Sequence, residues 1–415
     1  MNGLAVRSRS WATCCVIAVM LVLMLQSQGP GAEPNPLRKV KLTHRDGRIA
    51  AGVLAGLEKD AVALEGADAQ KIPTKALIQL QFQDRRPEPN AAEPLVLLTD
   101  NSQLAVRAVS MNDEVLTVRW ARFPVWNEFR LSLETIRGII FSRPETPEAD
   151  ARLFRQMTGH QERHDLLILA NGDTLTGELA GLDEKHVVLE TTSGKAEVER
   201  DGVRAVVFNS SLTNVERLAG EGALVTLTDG SHFRVRGLKL APLERLECQS
   251  LSGTSFAIPT LAIVSLRFLG GCATYLSDLE PSRYRFTPYL NLDWPLERDR
   301  NVRGGPLQLR GTFYPKGLGT HSRSEVTYRL DGQYRRFQST IGIDDDTAGK
   351  GSVRYEVVVD GKPAYRSDEL TGSSEPVTLE RIDLTGAKTL TLRVDFGDLA
   401  DIQDHANWCD ALLVR

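Results

Sequence analysis

The sequence predicts an all-β protein: four small antiparallel sheets in series, with a further antiparallel region after them. Three observations point there. One plan recurs four times between residues 38 and 271, and turns at Asp46, Asp100, Asn171 and Asp229 are each followed, about forty residues on, by a closing phenylalanine at Phe82, Phe141, Phe208 and Phe268. Apolar residues alternate with a period of two between Gly, Asn and Asp turn residues, as in half-buried strands. Only one stretch, around Pro147 to Met157, carries a clear helix signature.

Taken in order, the chain opens on a targeting segment. Arg7 and Arg9 precede the uncharged apolar run Trp11 to Leu25, and small residues follow at Gly29, Gly31 and Ala32. This is the layout of a secretory signal peptide over 1–32, cut after Ala32, although Pro30 suits the cleavage site poorly. The alternative is an uncleaved anchor, for which the run is short of the roughly 20 residues a bilayer requires. Export removes Cys14 and Cys15 and leaves Cys248, Cys272 and Cys409. An oxidising compartment permits one bridge, Cys248 to Cys272; otherwise all three are buried thiols.

The repeats occupy 38–84, 94–143, 165–210 and 222–271. The third shows the plan best: LLILA, NGD, TLTGELAGL, DEK, HVVLET, TSGK, AEVER, DG, VRAVVF. Five short strands alternate with turns, and Gly177 allows a sharp bend in the second strand. A strongly bent five-stranded sheet of this length resembles an Sm-like small β-barrel in architecture alone. Gln83 to Pro94 is polar and proline-rich and reads as a linker. Residues 144–164 read as a helical linker, in which Thr146 caps a helix with Pro147 at its first position and Glu148 and Asp150 in its first turn. That helix is expected to join two halves, repeats one and two against repeats three and four.

The chain has 415 residues, is 41% hydrophobic and carries a net charge of −4. Several domains fit in that length, and the slight acidity excludes the basic face a nucleic acid requires. No Gly-x-Ser-x-Gly elbow, His-Glu-x-x-His or phosphate loop is present. His44, His160, His164, His186 and His232 have no partner pattern, and the acids of the repeats lie in turns. No catalytic residue is therefore assigned, and the chain reads as a non-enzyme.

The most informative stretch is Gly311 to Asp346. It contains Lys316-Gly317-Leu318-Gly319 and Thr320-His321-Ser322, then two strands around an Asp331-Gly332 turn, then Asp344-Asp345-Asp346. The order GLGTHS, LDG, GIDDD, VVVDGK and DHANW, across residues 274–415, resembles the NPCBM domain, a module first described beside glycoside hydrolase catalytic domains. The resemblance implies a galactose-binding-like β-sandwich, or jelly roll, and carbohydrate binding. On its motifs the candidate sugar contacts are His321, Asp404, His405, Asn407 and Trp408, with Tyr365 and Arg366 as further candidates. A calcium ion held by Asp344, Asp345, Asp404 and Asp410 is the candidate cofactor, since clustered Asp and backbone carbonyls can supply its oxygens. The structural alternative puts Trp408 in the core and bonds His321 to the terminal strand. No catalytic domain accompanies the module on this chain.

These observations describe a secreted or periplasmic, non-catalytic carbohydrate-binding protein. Its expected partner is an extracellular or envelope glycan, and no integral membrane span remains once the signal is removed. The rival reading is an envelope scaffold whose sandwich binds other envelope proteins, and a third, behind both, is a glycoside hydrolase.

Overall fold

The computed structural model describes residues 38–415, apart from 59, 66–70, 113, 124–127, 215–217, 219, 242–243, 290–291 and 399. The expected signal peptide, 1–32, and its two cysteines lie outside the described residues. No helix among those described is long and apolar enough to cross a membrane.

The chain is sheet-dominated throughout. In the third repeat the strands are Asp165–Leu169, Thr174–Leu182, His186–Thr191, Gly194–Glu199 and Val203–Val207, the last two joined by the 3-10 turn Arg200–Gly202. The first strand pairs with the second and the fifth, the second with the third, and the third with the fourth. The other repeats follow the same order. The first turn is built alike in all four. Gly47, Asn101, Gly172 and Gly230 take positive φ, the conformation that favours Gly and Asn. The preceding Asp46, Asp100, Asn171 and Asp229 each accept the backbone N–H two residues on, at 2.8–3.0 Å. In the second strand, a Cβ at Gly177 would lie 2.2 Å from the Glu190 carbonyl oxygen, so only glycine lets the two strands close there.

The five strands of each repeat make one antiparallel sheet that is joined to those of its neighbours. Among the described residues the fourth and fifth strands of a repeat do not pair, and all twenty strands belong to one hydrogen-bonded network. The reason lies in the free edge of the fifth strand, which another repeat takes up. Leu77–Phe82 pairs with Ile263–Leu269, joining repeats one and four, and Ile136–Ile140 pairs with Val203–Val207, joining two and three. The expected halves are thereby corrected: one goes with four, and two with three. Trp120, Phe129, Phe233 and Phe256, with ring centroids 5.1–6.4 Å apart, pack repeat two onto repeat four.

The helix Pro147–Gly159 follows repeat two, with the Thr146 hydroxyl accepting the Ala149 N–H at 3.3 Å. Leu153, Phe154 and Met157 are buried on one side of it, at the i, i+1, i+4 spacing of an amphipathic helix.

Residues 273–414 form a β-sandwich. One sheet runs Glu297–Arg298, Gly317–His321, His405–Val414, Arg336–Ile343, Val377–Asp383, with Ala273–Tyr275 alongside the last strand of the chain. The other runs Arg283–Phe286, Ser324–Arg329, Thr389–Phe396, Ser352–Val359, Lys362–Arg366. Period-two alternation sends Val326, Tyr328, Leu390, Leu392, Tyr355 and Val357 inward from this second sheet, against Leu318, Phe337, Ile341 and Trp408 from the first.

The two parts meet over a shared apolar cluster that includes Ile78, Leu224, Tyr275, Leu412 and Val414. Cys272 lies in that cluster, whereas Cys248 faces the core of the repeats. All three described cysteines are free and buried, as the buried-thiol alternative has it, and the Cys248–Cys272 bridge is not formed because the two side chains belong to different cores.

Candidate functional site

The site is set by the pairing of an early strand with the last one. Gly317–His321 runs antiparallel to His405–Val414 in the register Gly317–Cys409, Leu318–Trp408, Gly319–Asn407, Thr320–Ala406, His321–His405. Residues 84 to 92 apart in sequence thus become cross-strand neighbours at one end of the sandwich. Directly opposed residues share a face, and successive residues alternate. Leu318, Ala406 and Trp408 therefore face the core, while His321, His405 and Asn407 face the opposite side.

This alternation separates the candidates of the DHANW segment. Trp408 is fully buried and meets Tyr355 edge-on, ring centroids 5.0 Å apart. It is a core residue and is removed from the set of sugar contacts. Asn407 points the other way but is also fully buried, its amide donating to Asp344. It too is corrected, from ligand contact to internal support. His321 and His405 face the same side, 2% and 3% exposed, with ring centroids 5.8 Å apart.

Between these histidines and solvent lies a residue that pattern reasoning missed. Trp294 is half-buried and stacks on His321, with centroids 4.6 Å apart and planes within 2°, and it sits 5.7 Å from His405. Phe286 meets His321 edge-on at 6.2 Å. Trp294 lies in an irregular segment before Pro295, so no strand periodicity marks it; its only signal in the sequence is a large aromatic beside a proline in a polar stretch.

Burial holds His321 in its neutral form, with its pKa lowered to about 4, and its Nδ1 donates to the Ser322 carbonyl at 2.8 Å. Asp404 accepts from the Ser322 hydroxyl and from the Ser352 N–H, the latter at 2.8 Å. Burial raises its pKa to about 6, against the opposing pull of these hydrogen bonds.

The acidic loop lies behind the histidines. Asp346 Oδ1 accepts from His405 Nδ1 at 2.6 Å. Asn301 Nδ2 donates to Asp344 Oδ1 at 2.9 Å and to Asp346 Oδ2 at 3.2 Å. Asp344 also accepts the Gln308 N–H at 3.0 Å. Burial first, and the nearby charge of Asp346 second, push Asp344 up to about 8. Asp345 accepts the N–H groups of Arg310 and Gly311 at 2.8 and 2.7 Å.

As placed, the four carboxylates named for calcium do not fit a shared ion. Asp344, Asp345 and Asp404 are held by the partners just described, and Asp410 pairs with Arg267 at the junction with the repeats, 3.1 Å away. Among the described residues no three His, Cys, Asp or Glu side chains form a group that could hold a metal. Tyr365 and Arg366 are not part of the rim either. They sit on Lys362–Arg366, the edge of the second sheet opposite Phe286, about 19 Å away at four strand spacings. Arg366 is engaged there with Glu356 and Arg393's partner network.

Comparison with known proteins bears on residues 273–414. They match the NPCBM/NEW2 domain. A Renibacterium salmoninarum protein named "Putative endo-alpha-N-acetylgalactosaminidase" is 33% identical over 145 residues, covering 33% of this chain and 9% of its own length. "Alpha-1,3-galactosidase B" of Akkermansia muciniphila is 28% identical over 115 residues, covering 27% of this chain and 14% of its own length. The chain thus spans a small fraction of these relatives. Among solved structures, a Clostridium perfringens CBM51 in complex with methyl-galactose is 29% identical, with 34% of this chain and 99% of that one covered and a TM-score of 0.32. The final third of the chain, residues 273–414, is an NPCBM/NEW2 domain.

Proposed function

We propose that the protein is an exported, non-catalytic glycan-binding protein, with Trp294 as the exposed face of its binding rim, the buried rings of His321 and His405 behind it, and the four repeats as its scaffold. The observation that carries this reading is the Trp294–His321 stack. A half-buried aromatic face stiffened by a parallel ring beneath it suits the apolar face of a pyranose, with neighbouring polar groups available to fix hydroxyls. Asp404 lies beside this pair through its bond to Ser322. Exposed apolar side chains flank the same segments in sequence, at Tyr289, Leu292 and Ile402.

The NPCBM/NEW2 match, together with the similarity to proteins named as glycosidases, supports carbohydrate as the ligand class. No calcium enters this reading, because the carboxylates of the acidic loop are held by protein donors. A glycan array probed with the full-length protein and with its Trp294→Ala variant tests the proposal. Sugar-specific signal in the wild type that the variant loses is the expected result. Capture of envelope proteins with no sugar signal would favour the scaffold reading instead.

A further inference from the structure

The segment 294–308 touches three things at once. It carries Trp294 at the rim. It then pairs with the early strand, Glu297 opposite Gly319 and Arg298 opposite Leu318. Next it turns at 299–305 directly over that strand: a Cβ on Gly319 would lie 2.4 Å from the Arg300 carbonyl oxygen. Asn301, 2% exposed, is the hub of this turn. Its Oδ1 accepts the N–H groups of Arg303 and Gly305 at 3.1 and 2.9 Å. Its Nδ2 holds Asp344 and Asp346, and Asp346 holds His405.

The far side of the same turn is packed by the repeat region. The Arg300 guanidinium lies 4.2 Å from the centroid of the Phe154 ring, on the helix Pro147–Gly159. Burial lowers the Arg300 pKa to about 10, which still leaves it a cation at neutral pH over the aromatic face. Gly304 takes φ +90, and a Cβ there would come within 2.8 Å of Arg155 Cγ and 3.2 Å of the Ala151 carbonyl oxygen. Arg303 reaches Glu148 at 3.8 Å. A continuous set of contacts therefore runs from Phe154 through Arg300 and Asn301 to Asp346 and His405.

We propose that the repeat region positions the rim: the helix Pro147–Gly159 clamps the 299–305 turn, whose Asn301 holds Asp346 and, through it, the His405 ring. Phe154, Arg300, Asn301 and Asp346 are positioning residues in this scheme and do not touch ligand. Asp346, as a carboxylate acceptor, keeps the proton of His405 on Nδ1 and fixes the ring plane. The four repeats are then more than a spacer, since loosening the clamp loosens a ring of the rim.

The test uses the full-length chain and two variants remote from the rim. Phe154→Leu removes the aromatic face under Arg300 while keeping an apolar side chain. Arg303→Glu sets a carboxylate against Glu148 on the accessible side of the contact, and adding Glu148→Arg restores an attractive pair. The readout is the Nδ1–H resonance of His405 in proton–nitrogen correlation spectra, with affinity for methyl-galactose as a second arm. The expected result is a shifted or broadened His405 resonance in both single variants, its recovery in the charge-swapped double variant, and affinity weakened by roughly two- to thirtyfold. An unchanged His405 resonance in folded single variants overturns the proposal. The affinity arm rests on the glycan reading above, whereas the resonance arm does not. Failure of the wild type to bind methyl-galactose counts against the rim as a site for that sugar and leaves the resonance to decide the clamp.

Discussion

Trp294 and His321 lie ring on ring, with planes within 2° and centroids 4.6 Å apart, although one sits in an irregular loop and the other ends a strand. Removing the upper ring tests the rim without touching the core. Trp294→Ala is expected to weaken glycan binding by about tenfold or more, the scale of a lost aromatic contact. Because Trp294 is only half-buried, the melting temperature should move far less than for a core tryptophan. Titration calorimetry beside a thermal melt reads both, and unchanged affinity would remove Trp294 from the site.

Trp408 gives the opposite result. It is fully buried between the sheets, so Trp408→Ala should destabilise the sandwich by about 3–5 kcal/mol, the cost of a large core cavity. Urea unfolding monitored by circular dichroism measures this. A cost below about 1 kcal/mol would contradict its place in the core.

The acidic loop predicts a pH dependence. Asp344 is raised to about 8 in the fold, above its unfolded value, so its contribution is complete at low pH and is lost as pH climbs toward 8. His321 is lowered to about 4, so its contribution is complete above its unfolded pKa and is lost as pH falls toward 4. Asp404, raised to about 6, loses its contribution in the same sense as pH climbs toward 6, so below about pH 6.5 these carboxyl terms and the His321 term oppose each other, and above it the Asp344 term dominates the three. Stability should therefore decline from about pH 6.5 to 8, by at most about 1.4 kcal/mol per pH unit for one proton. Asn407 Oδ1 has no hydrogen-bond partner with the amide as placed, and a flipped amide would let it accept the Asp344 proton. Thermal melts across that range should decline for the wild type and stay flat for Asp344→Asn. A wild-type curve that rises with pH would refute this.

Across the junction, Arg267 of the fourth repeat pairs with Asp410 of the last strand at 3.1 Å, the arginine side chain 9% exposed and the aspartate 26%. Arg267→Ala should cost about 2–3 kcal/mol, below the full cost of breaking a buried pair because water reaches Asp410. Residues 272–415 alone would also uncover Tyr275, Leu412 and Val414. The isolated module should therefore melt lower than it does within the full chain, and equal melting temperatures would show the junction to be energetically idle.

Much of the fold is legible in local chemistry. The four Asx turns, with Gly or Asn at the positive-φ position, are each specified by two adjacent residues, as is the Thr146 cap. Period-two alternation marks the strands, and the motif order from GLGTHS to DHANW marks the last third of the chain. His321, Asp404 and His405 were readable as neighbours because pairing of an early strand with the terminal one brings them together.

What the sequence determined by itself was what a residue and its near neighbours decide: turn chemistry, strand pattern, the helix cap and the motifs of the final domain. The tertiary structure decided how free edges are used, pairing repeat one with four and two with three. It also decided which face of a strand meets water, so that Trp408 and Asn407 went inside, and it brought Trp294 onto His321 from a segment with no periodicity. The physical reason is range. Turn and strand preferences are set within a few residues, whereas edge pairing and face coverage depend on surfaces that meet only after the chain has folded.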